Sequence, residues 1–84
     1  MFYVYAIKSL HRNSIYVGLT NNVERRLKEH NSGENRSTKA YAPFVLFYKE
    51  ELIERQDARN REKWLKSGIG KEFLHSVLIK LPGC

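Results

Sequence analysis

The run from Phe2 to Ile7 is continuously apolar or aromatic and predicts a buried strand. On a period of two, Tyr3, Tyr5 and Ile7 share one face, and Phe2, Val4 and Ala6 the other. Ser9 to Asn13 is polar, with Asn13 as a turn residue. Residues 14–19 predict a second strand, with Tyr16 and Gly18 on one face and Ile15, Val17 and Leu19 on the other. The short loop between the two strands makes them an antiparallel hairpin. Gly18 interrupts a strand interior, which marks a close backbone approach.

The period then lengthens. Val23, Leu27 and His30 fall at helical spacing, with Arg26 beside them, after a cap at Thr20 or Asn21. Gly33 suits a left-handed C-cap near Asn31 and Ser32. Residues 32–43 are small, polar and basic and predict a surface loop. Phe44 to Lys49 predicts a third strand. A helix follows from about Arg55 to Ser67, with Ala58, Glu62 and Leu65 on one stripe. Gly68 is expected to close it, with Ile69 folding back onto Trp64. A last helix from about Lys71 to Lys80 presents Phe73, Leu74, Val77, Leu78 and Leu81, and Pro82 and Gly83 end it. The order β-β-α-β-α-α predicts an α/β domain with a small, mostly antiparallel three-stranded sheet flanked by helices.

The chain has 84 residues, enough for a single domain over 1–84. Ten aromatic residues (one Trp, five Tyr, four Phe) supply large buried areas. One cysteine, Cys84, cannot make a disulfide framework or a zinc cluster and suits a reducing compartment. The N-terminal apolar run is too short for a signal peptide or a membrane span, so a cytoplasmic location without membrane association is expected. Net charge is +6, with a pI near 9.7, which attracts polyanions, nucleic acid above all. DNA contacts are expected from Arg36 and Lys39 in the loop and from Arg61, Lys63 and Lys66 around the second helix, with affinity falling steeply as salt rises.

Some residues do not suit a plain core. Glu62 sits between Ala58 and Leu65, where a carboxylate needs a partner or a metal, unless its head reaches solvent, Arg61 or Lys66. Arg26 and His30 are four residues apart and can point into one cleft. They can equally be a snorkelling arginine and a histidine that favours the helix C-terminus. Tyr5 and Tyr16 lie on neighbouring strands, where tyrosines commonly just pack. Together these groups are the parts needed to hydrolyse a phosphodiester. A metal polarises the phosphate, an arginine neutralises developing charge, and a Tyr or His moves a proton.

Tyr3-Val4-Tyr5 loosely matches a Gly-Ile-Tyr signature, and Tyr16-Val17-Gly18 closely matches Tyr-Ile-Gly. With the helix carrying Arg26 and the stretch from Ala58 to Lys66 around Glu62, the chain resembles the GIY-YIG nuclease family over nearly its whole length. It is similar to the nuclease domain of the excision-repair C subunit, a DNA repair protein, and to small stand-alone bacterial members. The resemblance implies a metal-dependent DNA endonuclease. Tyr5 would be the general base, a role for which Tyr16 and His30 are the alternatives. Tyr16 would hold the phosphate or the water, and Arg26 would contact the scissile phosphate. His30 matches a histidine of some branches, and Glu62 would bind Mg²⁺ or Mn²⁺. Tyr3 replaces the first glycine of the signature, and the late asparagine of some members has no clear counterpart; Asn60 precedes Glu62. Without an added DNA-reading module, the resemblance implies structure-selective or weakly selective cleavage, aided by a protein partner. A non-catalytic nucleic-acid-binding module with the same fold is the alternative, and a protein-interaction domain is a third reading. Retention of Glu62 favours the enzyme, because pure phosphate binding has no use for an acid.

Overall fold

The structure, a computed structural model, describes residues 1–33 and 39–80. The apolar N-terminal run becomes β1 (Phe2–Ser9), followed by β2 (Ile15–Thr20), α1 (Val23–Ser32), a 3-10 turn (Lys39–Tyr41), β3 (Phe44–Leu52), α2 (Arg55–Lys66) and α3 (Gly68–Lys80). The sheet is antiparallel throughout and ordered β2-β1-β3. The most apolar strand is therefore the central one, and Val4, Tyr5, Ala6 and Ile7 are all buried.

The alternation along β1 divides the interior in two. Val4 and Ala6 pack with Val17, Ala58, Leu65 and Leu74 beneath α2 and α3. Tyr5 and Ile7 pack with Val23, Phe44, Tyr16 and Leu27 beneath α1. The chain is thus layered, with α1 on one face of the sheet and α2 and α3 on the other. Fully burying an aliphatic side chain contributes about 1.5–3 kcal/mol, so the Val4, Leu65 and Leu74 face is a main source of stability.

Several junctions differ from the sequence reading. Asn22, rather than Thr20 or Asn21, caps α1, and its side chain accepts the Arg25 N–H. Thr20 is used one step earlier: its hydroxyl accepts the Asn22 N–H and donates to the Asn22 carbonyl, fixing the turn out of β2. Asn13 sits in the β1–β2 turn, between the Arg12 carbonyl and the Ser14 N–H that donates to it, and buried Ser9 organises the start of the turn, its hydroxyl accepting the His11 and Arg12 N–H groups. Gly33 closes α1 as expected, at φ 81° with its N–H donating to the Glu29 carbonyl.

Gly68 does not close α2. Ser67 alone separates α2 from α3, donating its N–H to Trp64 and accepting the Gly70 N–H on its hydroxyl. Gly68 begins α3, and Ile69 is 68% exposed rather than folded onto Trp64. Gly70 is the glycine the junction requires, because a Cβ there would collide with the Trp64 carbonyl and the Leu65 backbone. The apolar side of α3 packs through Leu74 and Phe73, while Leu81 lies outside the described residues. Among the described residues no helix is long and apolar enough to cross a membrane.

Candidate active site

Four of the five expected catalytic residues meet on the α1 face. Tyr5 and Tyr16 project from β1 and β2 with ring centroids 6.4 Å apart. Their strands pair so that Tyr5 lies opposite Gly18, and Ile7 opposite Tyr16. A Cβ on residue 18 would overlap the Tyr5 hydroxyl and ring. The close approach marked by this glycine is therefore that of the Tyr5 phenol, which lies against the Gly18 backbone of β2.

α1 brings the polar groups. His30 is fully buried, and its Nε2 lies 3.0 Å from the Tyr5 hydroxyl. Tyr16 and Phe44 pack against its ring at 4.7 and 5.9 Å between centroids. Arg26, one turn earlier, places its positive charge close enough to the Tyr5 phenol to act on its protonation. It also donates from NH1 to Glu29 Oε1 at 2.6 Å. Asn31 anchors this end of the helix. Its amide oxygen accepts the Phe44 N–H at 2.6 Å, and its amide nitrogen donates to the Phe44 carbonyl at 3.2 Å.

These contacts set the protonation states. Burial pushes the Tyr5 phenol above its usual range, against the hydrogen bond and positive charge of Arg26; Tyr16 and the Glu62 carboxylate push it further up. Burial, then the Arg26 charge, lowers His30 below 6.5, against Glu29. For Arg26, burial works to lower the pKa, but the hydrogen bonds with Glu29 and Tyr5 outweigh it and raise it. At neutral pH the cluster therefore consists of a neutral phenol, a neutral imidazole and a charged guanidinium.

Glu62 arrives from the other layer. Its helix packs on the face opposite Tyr5, yet its carboxylate contributes to the electrostatics of the Tyr5 phenol. The route is the free edge of β2. Glu62 lines a groove of about 470 Å³ with Phe2, Leu19, Thr20, Asn21, Arg55 and Arg59. Its side chain is 19% exposed and accepts from Lys66 at 3.2 Å. The ion pair follows from i, i+4 spacing on α2.

The expected DNA contacts divide. Lys39 and Lys63 are exposed, and Lys66 is held by Glu62. Arg36 lies outside the described residues. Arg61 faces the opposite way from the cluster. Its Nε donates to Glu50 Oε2 at 2.8 Å, its guanidinium stacks 4.4 Å over Trp64, and Tyr48 donates to the same Glu50 oxygen at 2.7 Å. A guanidinium so engaged belongs to the packing between α2 and β3. Sequence reasoning missed Glu29 and Asn31. The first was legible as an acid three residues after Arg26; the second depends on a partner thirteen residues away.

Residues 1–72 match the GIY-YIG catalytic domain family. A UPF0213 protein of Staphylococcus haemolyticus is 41% identical over 76 residues, covering 89% of this chain and 92% of its own. Another, from Clostridium perfringens, is 39% identical over 81 residues, covering 95% and 86%. The solution NMR structure of a UPF0213 protein from Bacillus halodurans superposes with a TM-score of 0.55 at 33% identity, covering 92% of this chain and 85% of that one. Tyrosines on paired strands, an arginine and a histidine on the first helix and an acid on the second thus occur in a chain that belongs to the GIY-YIG family, among the small UPF0213 proteins.

Proposed function

We propose that this protein is a metal-dependent endonuclease that hydrolyses phosphodiester bonds in DNA with structure-selective or weak preference. One observation carries the reading. Tyr5 and His30 form a buried hydrogen-bonded pair beside Tyr16, with the Arg26 guanidinium charge acting on both and the Glu62 charge a lesser influence on the phenol. Such a pair moves a proton. Tyr5 takes the proton of the attacking water while passing its own to the Nε2 of neutral His30. A relay is needed because burial makes a free phenolate costly. Arg26, already charged, exchanges Glu29 for a non-bridging phosphate oxygen and stabilises charge that grows in the transition state. Tyr16, half-buried above His30, orients the phosphate or the water.

Glu62 is the residue that would hold Mg²⁺ or Mn²⁺, which when bound supplies Lewis-acid polarisation of the phosphate. The donor set fits. Among the described residues no three His, Cys, Asp or Glu side chains cluster as a metal cage. Mg²⁺ characteristically binds through one or two carboxylates plus substrate phosphates and keeps several waters. Lys66, paired with Glu62, would be released when the cation arrives.

Exposed Lys39 and Lys63, with Lys66 once freed, would contact the DNA backbone, and a protein partner would supply further selectivity. Nicking of supercoiled and branched DNA with Mg²⁺, Mn²⁺ or EDTA tests the proposal. Metal-dependent nicking is expected, and its absence from pure folded protein overturns the enzymatic reading. A second reading, a binding module without catalysis, is favoured by the burial of Tyr5, which is only 1% exposed. DNA binding without nicking under any metal would select it.

A further inference from the structure

The groove at the end of β2 holds two cations that neither the proton relay nor the metal uses. Arg55, Arg59, Glu62 and Lys66 follow one another on α2 at intervals of four, three and four residues, so they form one stripe. The first three line the same groove. Among the described residues, Arg25 and Arg26 pair with Glu29, Arg61 with Glu50, and Lys66 with Glu62. Arg55 and Arg59 have no ion-pair partner there. Arg59 is placed to pair with Glu62 one turn away, but that carboxylate is taken by Lys66. Two unneutralised guanidinium groups thus stand beside a lone acid, in a trough open to solvent.

We infer that Arg59 and Arg55 hold the backbone phosphates next to the scissile bond, guiding one DNA strand along α2 away from Glu62. The inference rests on the nuclease reading of the site. Guanidinium forks match phosphate oxygens in geometry as well as charge. A helical rise of about 1.5 Å per residue places Arg59 roughly 4.5 Å, and Arg55 roughly 10.5 Å, along the axis from Glu62. At about 3.4 Å of duplex rise per nucleotide, these distances correspond to roughly one and three nucleotides. The two arginines also offset the repulsion that Glu62 exerts on a polyanion before a cation is bound. Asn21, which lines the same groove and accepts from Arg25 at 3.3 Å, joins the trough to the start of α1.

The test is a phosphate scan. A duplex with a mapped nick receives single neutral methylphosphonates at successive positions. Binding to metal-free Glu62→Gln protein is read by fluorescence anisotropy, beside Mg²⁺-dependent nicking by protein with Glu62 intact. Loss of one charged hydrogen-bonded contact is expected to weaken binding about tenfold. In the Arg59→Gln background the substitution nearest the nick should cost nothing further, and in Arg55→Gln the same should hold about two nucleotides farther out. Arg59→Lys should restore part of the affinity, and melting temperatures should not move, because both side chains are exposed. Equal penalties in the variants and their parent at every position overturn the inference while leaving a nicking enzyme intact. A parent that neither binds nor nicks DNA overturns the nuclease reading and the phosphate track together.

Discussion

The two faces of the sheet bury different chemistry. Beneath α2 and α3 the buried residues are Val4, Ala6, Val17, Ala58, Leu65 and Leu74, all aliphatic. Beneath α1 they include a tyrosine, and His30 is buried beside it. The first face needs only volume and shape. The second must satisfy every polar atom it encloses, and no buried side-chain nitrogen or oxygen among the described residues lacks a partner. In a chain of 84 residues one face is thus purely apolar, and the polar groups that need buried partners are gathered on the other. Glu62 is the exception, set on α2 between Ala58 and Leu65 of the aliphatic layer while its carboxylate lines the groove at the end of β2 and its charge acts on the Tyr5 phenol.

Substitutions should separate the two faces. The largest effect is expected at the exception. Glu62→Gln should remove metal-dependent nicking to the detection limit and lower the melting temperature by at most about 4–8 °C, since its ion pair with the exposed Lys66 is of a kind worth at most about 1 kcal/mol. Mg²⁺-dependent nicking at the normal rate by this variant would remove Glu62 from the site.

Tyr5→Phe comes next. Turnover should fall about 10²–10⁴-fold, the usual range for a lost general base. Stability should fall by about 1–3 kcal/mol as a buried polar atom loses a partner. Tyr16→Phe should be milder in turnover, and the opposite ranking in single-turnover kinetics would exchange their roles.

Leu65→Ala probes the aliphatic face. It should cost about 2–5 kcal/mol in denaturant unfolding, with kcat unchanged once activity is corrected for the folded fraction. A fall in kcat with no loss of stability would show that the faces are not separable.

The smallest effect is a pH dependence that sharpens the polar side of the comparison. His30 has a folded pKa below 6.5, so the unfolded chain binds its proton first. Its contribution to stability is fully present above pH 6.5 and is lost as pH falls from there through the lowered folded value. The acidic limb of kcat/KM should likewise lie below 6.5, with the neutral imidazole as the active form. Melting curves and rates from pH 4.5 to 8 read both, and an acidic limb above 6.5 would exclude a neutral buried acceptor at this position.

Periodicity made the element order legible because the chain changes period where it changes structure. Alternation along β1 separated Tyr5 from Val4, and the Ala58 to Leu65 stripe gave the buried side of α2. Which face of the sheet α2 would take was not legible, because both faces of a central strand are apolar and the choice belongs to topology. The candidate cluster was visible as residue types, and its wiring was not. The Arg26–Glu29 pair is local, but the pairing of Arg61 on α2 with Glu50 on β3 is set by tertiary packing and was not legible. Gly18 was marked as a point of close approach, though only the register opposite Tyr5 identifies what approaches. The caps slipped by a residue because Thr20, Asn21 and Asn22 offer similar side-chain oxygens in succession, and the turn geometry chooses among them.

The order β2-β1-β3 leaves two strand edges, and they are not equivalent for assembly. An added strand on β2 would lie across the approach to Gly18, Asn21 and Glu62 and close it. The edge of β3, nine residues long with Val45 and Leu46 exposed, carries no such constraint. Growth of this sheet by strand addition, in a dimer or in a larger protein that incorporates the same unit, is therefore compatible with an open trough only on the β3 side.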